Sequence, residues 1–422
     1  MKQGISFALI LVLTLLLGCS LKAPVTLPPT QETTPAVATE TPVSTPTAPT
    51  TSNLTSPPPS MPPTLPTPPT ATPTKPLPPL AAFMKGIHFD DWNKSNTQRP
   101  PNVGPLYNPA QSDGSLKNLA ATGANWVILN VQVWQETISS TNITLAQYAT
   151  ASDEALRHMI ELGHSLGIRV ALQPMVGLSQ DPTHVWIHIG TSFSTETQWQ
   201  EWFASYREMI MHYATLAQNA GADMFFIGHE LTGTVHREAD WRRVAQEVRQ
   251  IYKGPIIYEA TTNYVPLVPL SLTDEDLQIK WWDAVDYIGV LGYFPLTNKN
   301  NPTVEELKIA WVEKGYVSRF EGLWQKFQKP IIISEIGYNS VDGTNRSPLN
   351  NLYESLPLDL QEQADCYQAA LEVLWGRPWL KGIFWFQWPA IPVWWPPDRM
   401  IKSSVPCGKP AEEIIKRFYL SQ

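Results

Sequence analysis

The sequence predicts an α/β chain, a (β/α)8 TIM barrel preceded by a disordered Pro/Thr-rich linker. Three observations predict it. From Ala82 onward, short apolar runs alternate with segments of helical period, the pattern of a parallel α/β architecture. The runs number eight, which is the count that closes this barrel. Before them, residues 22–79 collapse to Pro, Thr, Ser and Ala, a composition that cannot bury enough apolar surface to offset its ordering entropy.

The chain opens with an address. Met1-Lys2-Gln3 is a short positive start, and Ile5 to Leu17 is an apolar run of signal-peptide length, too short for a comfortable membrane span. Leu16-Leu17-Gly18-Cys19 resembles a bacterial lipobox, with Leu17 in place of the small residue usual there. Cleavage before Cys19 would leave a cysteine that carries lipid; the alternative, an uncleaved anchor, keeps the domain on the same side of the membrane. The expected organisation is a lipoprotein signal peptide over 1–19, a linker over 20–80 and the barrel domain over 81–422. The domain is expected outside the cytoplasm, lipid-anchored to the bacterial cell membrane. With polyproline-II character the linker reaches roughly 150 Å at about 3 Å per residue, a stalk without chemistry.

The strands follow in order. The first four are Phe83–Phe89, Trp126–Val131, Arg169–Gln173 and Met224–Gly228. The second four are Pro255–Glu259, Tyr287–Leu291, Pro330–Ser334 and Gly382–Phe386. Between them, Trp199, Trp202, Phe203, Tyr206, Ile210 and Tyr213 recur at helical spacing, as do Trp241, Val244, Val248 and Ile251. Periodicity makes these aromatics helix-to-barrel packing rather than sugar platforms. Gly163 and Gly167 are expected to close the helix that begins near Asp153. An open doubly wound sheet is disfavoured by the strand count and by the lack of a glycine-rich phosphate loop after the first strand.

Composition narrows the function classes. The net charge of −8 leaves no basic stripe to neutralise phosphates, so no nucleic-acid partner is expected. The histidines do not cluster at metal-ligand spacing and no HExxH occurs, so no metal or cofactor is expected. No GxSxG elbow supports serine hydrolysis. Cys366 and Cys407 remain beside Cys19; an exported context allows a disulfide between them, the alternative being two separate thiols. A monomer is expected.

In such barrels the C-terminal ends of the strands build the site. Glu230 ends Phe226-Ile227-Gly228-His229-Glu230 after the fourth strand, and Glu335 ends Ile332-Ile333-Ser334-Glu335 after the seventh. A charge following a buried apolar run costs free energy unless it is paired or catalytic. Two carboxyl groups so placed suit hydrolysis of a glycosidic bond, one protonating the leaving oxygen and the other attacking or stabilising the oxocarbenium-like centre. About 5 Å between them would make the second a nucleophile.

The two glutamates resemble the acid/base and nucleophile of the large retaining clan of barrel glycosidases. More specifically, the chain resembles glycoside hydrolase family 113, whose known members are β-mannanases. The matching stretches are Gly123-Ala124-Asn125-Trp126-Val127, Gly228 to Leu231, Trp241 through Gly254 into Tyr258, Asp286-Tyr287-Ile288-Gly289-Val290 with Tyr293, and Lys329-Pro330 through Tyr338. The resemblance covers nearly all of residues 82 to about 390 and implies that Glu230 is the acid/base and Glu335 the nucleophile. It also implies that Tyr293 bonds the nucleophile and lowers its pKa relative to the acid. Trp388 or Trp385 would form the floor under the sugar at the point of cleavage. His229 stands where the clan has asparagine contacting the sugar 2-hydroxyl, and would donate in its place.

His88, Asp90, Asp91, Asn130, Gln132, Gln173, Asn263 and Tyr264 follow or end further strands, and each either binds sugar hydroxyls or serves barrel-rim hydrogen bonding. The expected partner is a polysaccharide, β-mannan first and another β-glycan second. A carbohydrate-binding lipoprotein that kept the fold without turnover is the reading from a different class.

Overall fold

The computed structural model describes residues 77–91, 105–145, 150–180, 186–262, 274–348, 352–391 and 397–421, all within one compact unit, Pro68–Gln422. The lipobox with Cys19, nearly all of the linker, and Asn263 with Tyr264 lie outside the described residues. Among the described residues no helix is long and apolar enough to cross a membrane.

All eight expected strands form. They are β1 (Met84–Asp90), β2 (Trp126–Gln135), β3 (Arg169–Leu178), β4 (Met224–His229), β5 (Ile256–Ala260), β6 (Tyr287–Leu291), β7 (Ile331–Ile336) and β8 (Leu380–Pro389). Each is parallel to its chain neighbours, and β1 pairs with both β2 and β8, which closes the ring. Strands β2, β3 and β8 run beyond their expected ends; the extra length of β2 and β3 is paired in one unbroken register from Trp126–Arg169 to Gln135–Leu178. A two-residue strand, Ile143–Thr144, lies antiparallel on the far end of β2.

Ten helices follow the strands in the described residues: α1 (Pro109–Ala120), α2 (Asp153–Ser165), α3 (Glu196–Ala220), α4 (Glu238–Ile251), α5 (Glu275–Gln278), α6 (Val304–Glu313), α7 (Tyr316–Phe327), α8 (Leu360–Leu374), α9 (Pro397–Lys402) and α10 (Pro410–Leu420). Helix α3 begins at a capping box of Thr195 and Gln198 and stops at Gly221, whose φ of 76° is a left-handed conformation that glycine adopts without steric cost. Gly163 does not end its helix. It lies inside α2, where the lack of a Cβ lets Val170 of β3 approach, and Gly167 takes the left-handed φ of 74° just after.

Two apolar layers hold the barrel. Inside, Met84, Trp126, Ile128, Ala171, Met224, Phe226, Ile257, Ile332 and Phe384 fill the N-terminal half, with Tyr287 packed against them. Outside, the alternate residues of each strand meet the helices. The aromatics of α3 and α4 lie in this outer layer as the periodicity requires. Trp241 stacks on Trp281 with centroids 5.2 Å apart, and Trp202 on Tyr206 at 4.9 Å. Cys366 is buried in the outer layer and Cys407 is half-buried; both are free thiols. The disulfide allowed by an exported context is therefore not made.

Strict alternation breaks in β4, β7 and β8. In β4 the register passes from Phe226 opposite Ile257 to Gly228 opposite Tyr258, so one extra residue, Ile227, is accommodated. Its carbonyl accepts from the Tyr206 hydroxyl at 2.8 Å, which satisfies a group that the ladder leaves over. In β7 the register passes from Ile333 opposite Val290 to Glu335 opposite Leu291. Gly228 makes the first bulge sterically feasible: a Cβ there would lie 2.5 Å from the Tyr258 ring and 2.9 Å from Trp241. Gly228→Ala is expected to lower stability by roughly 1–3 kcal/mol through overpacking, measured by denaturant unfolding, whereas an alanine at the open Gly114 of α1 should leave it unchanged or slightly higher.

Candidate active site

Period two lifts one residue from each strand above the apolar floor. Two positions beyond Ile128, Ala171, Ile257 and Ile332 come Asn130, Gln173, Glu259 and Ser334, and on β1 Met84 and Gly86 lead to His88. Without its bulge, β4 would turn His229 outward; with it, His229 pairs opposite Glu259 and enters the interior. Likewise in β7 the shift sends Ile336 into the outer core and turns Glu335 inward. Bulges re-aim side chains in this way beside functional sites.

Glu230 follows β4 with a φ of 47°, an unusual left-handed conformation for a residue with a side chain. Such strain persists only where the surroundings over-determine it. Here the Glu230 N–H donates to the Glu259 carbonyl at 2.9 Å and the Leu231 N–H to the Tyr258 hydroxyl at 3.1 Å. That hydroxyl donates in turn to buried Glu275 at 2.5 Å, which also accepts from the Thr232 hydroxyl and the Thr261 N–H. Burial pushes the Glu275 carboxyl up to about 8.

The Glu230 carboxylate accepts from the indole of Trp186 at 3.1 Å, and His229 Nε2 lies 3.3 Å from the same oxygen, Oε2. On the other side of the ring, His229 Nδ1 meets Glu259 Oε2 at 2.9 Å, and the Gln173 amide donates to that oxygen as well. Burial alone would neutralise the His229 ring, but the two carboxylates outweigh it and hold its pKa well above the ordinary value. Burial likewise works to protonate Glu259, and the bond from His229 outweighs it, leaving Glu259 below the usual range.

Glu335 is half-buried and accepts from the Tyr293 hydroxyl at 2.5 Å. That contact is the one the resemblance implies, yet its effect is outweighed. Burial first, then the charges of Glu259 and Glu230, push Glu335 well above the ordinary glutamate value against the pull of His229 and Tyr293. His88 donates from Nε2 to the Ser334 carbonyl at 2.7 Å, and burial lowers its pKa, so it is neutral and presents Nδ1 as an acceptor. His88, Glu259 and Glu335 bring ligand atoms within 4.8 Å of one another, the one such group among the described residues. Glu259 there is already committed to His229 and Gln173.

The structure thus gathers Glu230, Glu335, His229, Tyr293, Gln173, His88 and Asn130 at one mouth, where Asn130 lies beside His88. It does not bring Trp385 or Trp388 there. Phe384 faces inward, so Trp385 faces outward and stacks on Tyr367 of α8 at 3.9 Å. Trp388 is 1% exposed in the outer core, its indole donating to Ser115 of α1 at 3.1 Å. The β8 aromatic that does enter is half-buried Phe386, edge-on to His88 with centroids 5.6 Å apart. His229 also departs from expectation, since both ring nitrogens face carboxylates. Sequence reasoning misses Glu259, Trp186 and Phe386. Glu259 carries the same signal as the other two glutamates, a carboxylate ending a buried apolar run; Trp186 opens a three-residue 3-10 turn, Trp186–His188, with no periodic signal.

Carboxyl groups with differing environments in the mouth of a (β/α)8 barrel are the equipment of glycosidic-bond cleavage, and the protein is a glycoside hydrolase. The family model of Glycoside Hydrolase Family 113 matches residues 103–393, and the chain belongs to that family, which implies a polysaccharide substrate. Among solved structures, a complex of a family 113 β-1,4-mannanase aligns with a TM-score of 0.65 and 26% identity, over 81% of this chain and 100% of that one. The family 113 β-mannanase AaManA from Alicyclobacillus acidocaldarius, in complex with ManMIm, aligns at 0.64 and 26%, over 81% and 98%. A β-glucuronidase from Ruminococcus gnavus aligns at 0.52 and 13%, over 80% of this chain and 50% of that one, a likeness of fold alone. No curated protein sequence matches the chain.

Removing the Tyr293 hydroxyl takes a charge-assisted bond from ionised Glu335. Tyr293→Phe is expected to reduce kcat/KM roughly 10- to 100-fold. It should also move the acid limb of the pH profile to higher pH, because the lost bond favoured the carboxylate; a pH–rate series on both proteins checks this.

Proposed function

We propose that the protein is a retaining endo-β-1,4-mannanase, with Glu230 as acid/base and Glu335 as nucleophile. The observation that carries the reading is the pairing of two differently supported glutamates at one barrel mouth. Glu230 lies under the Trp186 indole and His229, and Glu335 under the Tyr293 hydroxyl. The mannanases among the family's solved structures support the sugar.

In the first step Glu230 gives its proton to the glycosidic oxygen while Glu335 attacks the anomeric carbon, and a glycosyl-enzyme ester forms as the leaving chain departs. In the second, Glu230 takes a proton from water, which attacks the same carbon and frees Glu335. The first step needs Glu335 ionised at the outset; in the second it is the ester's carboxyl and leaves as the carboxylate. Because burial and its neighbours raise its pKa, activity is expected to fall on acidification from a pH above the ordinary glutamate value of about 4.3.

Reducing-sugar release from β-mannan, glucomannan, xylan and β-glucan tests the reading. Wild type should act on the mannans, and Glu230→Gln and Glu335→Gln should each lose about 10³-fold or more. Activity on another polymer would move the substrate and leave the mechanism. An α-anomer as the first product, seen by NMR, would overturn retention.

The proposed setting is the outer face of a bacterial cell membrane, with lipid on Cys19 and the Pro/Thr-rich stretch as tether; the lipobox-like Leu16–Cys19 supports it. Expressed in a bacterial host fed labelled palmitate, the protein should take up label in the membrane fraction, and Cys19→Ala should abolish labelling. Unlabelled wild type would sink the anchor.

A further inference from the structure

We propose that Glu259 is a positioning residue for Glu230: it anchors the His229 ring and balances its charge, so that His229 holds one oxygen of Glu230 and leaves the other to deliver the proton. The inference rests on Glu230 being the acid/base.

Glu259 grips both members of the dipeptide before it. Its backbone carbonyl accepts the Glu230 N–H at 2.9 Å, and its carboxylate faces His229 Nδ1 at 2.9 Å. Two donors, His229 Nδ1 and the Gln173 amide, converge on Oε2, an arrangement that suits an acceptor-only carboxylate better than an amide. The side chain is fully buried, so its charge requires a partner of opposite sign. His229 is the cation in contact with it, and the raised pKa of the ring agrees. As a cation the ring carries a proton on both nitrogens, and Nε2 faces Glu230 Oε2 at 3.3 Å, an ion-pair contact. The Trp186 indole donates to the same oxygen at 3.1 Å. Oε2 is therefore covered from two sides, and Oε1 is the oxygen left to carry the acid proton to the glycosidic bond.

The carboxylate of Glu259 has a second purpose. A buried imidazolium without a counter-charge costs free energy. With Glu259 behind it, the ring orients Glu230 while its charge is offset. Glu335, Tyr293 and His88 complete the charged and titratable groups that meet this line. Glu259 itself is fully buried and acts through His229.

The test uses the leaving group. Departure of a sugar needs protonation by Glu230; departure of 2,4-dinitrophenolate does not. The full-length protein and its Glu259→Gln and His229→Asn variants are compared on the polymer and on a 2,4-dinitrophenyl β-glycoside of the polymer's own disaccharide, with Glu230→Gln as reference. Each variant should lose roughly 10- to 100-fold in kcat/KM on the polymer and less than about threefold on the aryl glycoside. The double variant should be no worse than either single one, because both remove the same line. Equal losses on the two substrates, or additive losses in the double variant, would overturn the proposal. Should Glu259→Gln fail to fold, the contrast in His229→Asn decides it. If Glu230→Gln itself shows no leaving-group contrast, the acid/base reading fails first; if it shows the contrast and the other two do not, the present inference fails alone.

Discussion

One extra residue in β4 governs the arrangement at the barrel mouth. Ile227 fits only because Gly228 lets Tyr258 and Trp241 close against the strand and because Tyr206 takes up the spare carbonyl. The resulting shift brings His229 inside, places Glu230 at the turn where its backbone becomes left-handed, and lets Glu259 hold both. A second shift in β7 turns Glu335 toward the same space. Were β4 regular, His229 would point into the helix layer, and were β7 regular, Glu335 would, where Trp241 and Ile336 now pack.

The second constraint is charge. Three carboxyl groups, Glu230, Glu259 and Glu335, share the barrel mouth with one imidazolium. The imidazolium favours ionisation of Glu259, and Glu335 rises although Tyr293 and His229 oppose the rise. Glu259 and Glu335 are thus tuned together, one lowered and the other raised. The network beyond it, from Tyr258 to Glu275, holds the strained turn that carries Glu230.

How much of this can be read in advance depends on the length scale of the signal. Eight buried runs, the helical aromatics and two glutamates at strand ends are local patterns, and they are visible as such. Trp385 illustrates a near miss: once Phe384 is known to face inward, alternation alone sends Trp385 to Tyr367. Glu259 carries the signal of Glu230 and Glu335, yet its run reads equally as a strand that happens to end in a carboxylate. Trp186 has no local signature, because its contact with Glu230 joins the loop after β3 to the end of β4.

The order of apolar runs and turns along the chain is enough to specify a parallel barrel and to place its chemistry at the C-terminal ends of the strands, since burial and period act within a few residues. Which side chains enter the mouth is another matter. It follows from strand register, and register is set by contacts between segments far apart in the chain: Tyr206 against Ile227, Tyr258 against Gly228, Glu259 against His229. A shift of one residue exchanges inside for outside, so the charge state of His229 and the elevation of Glu335 exist only once those segments have met.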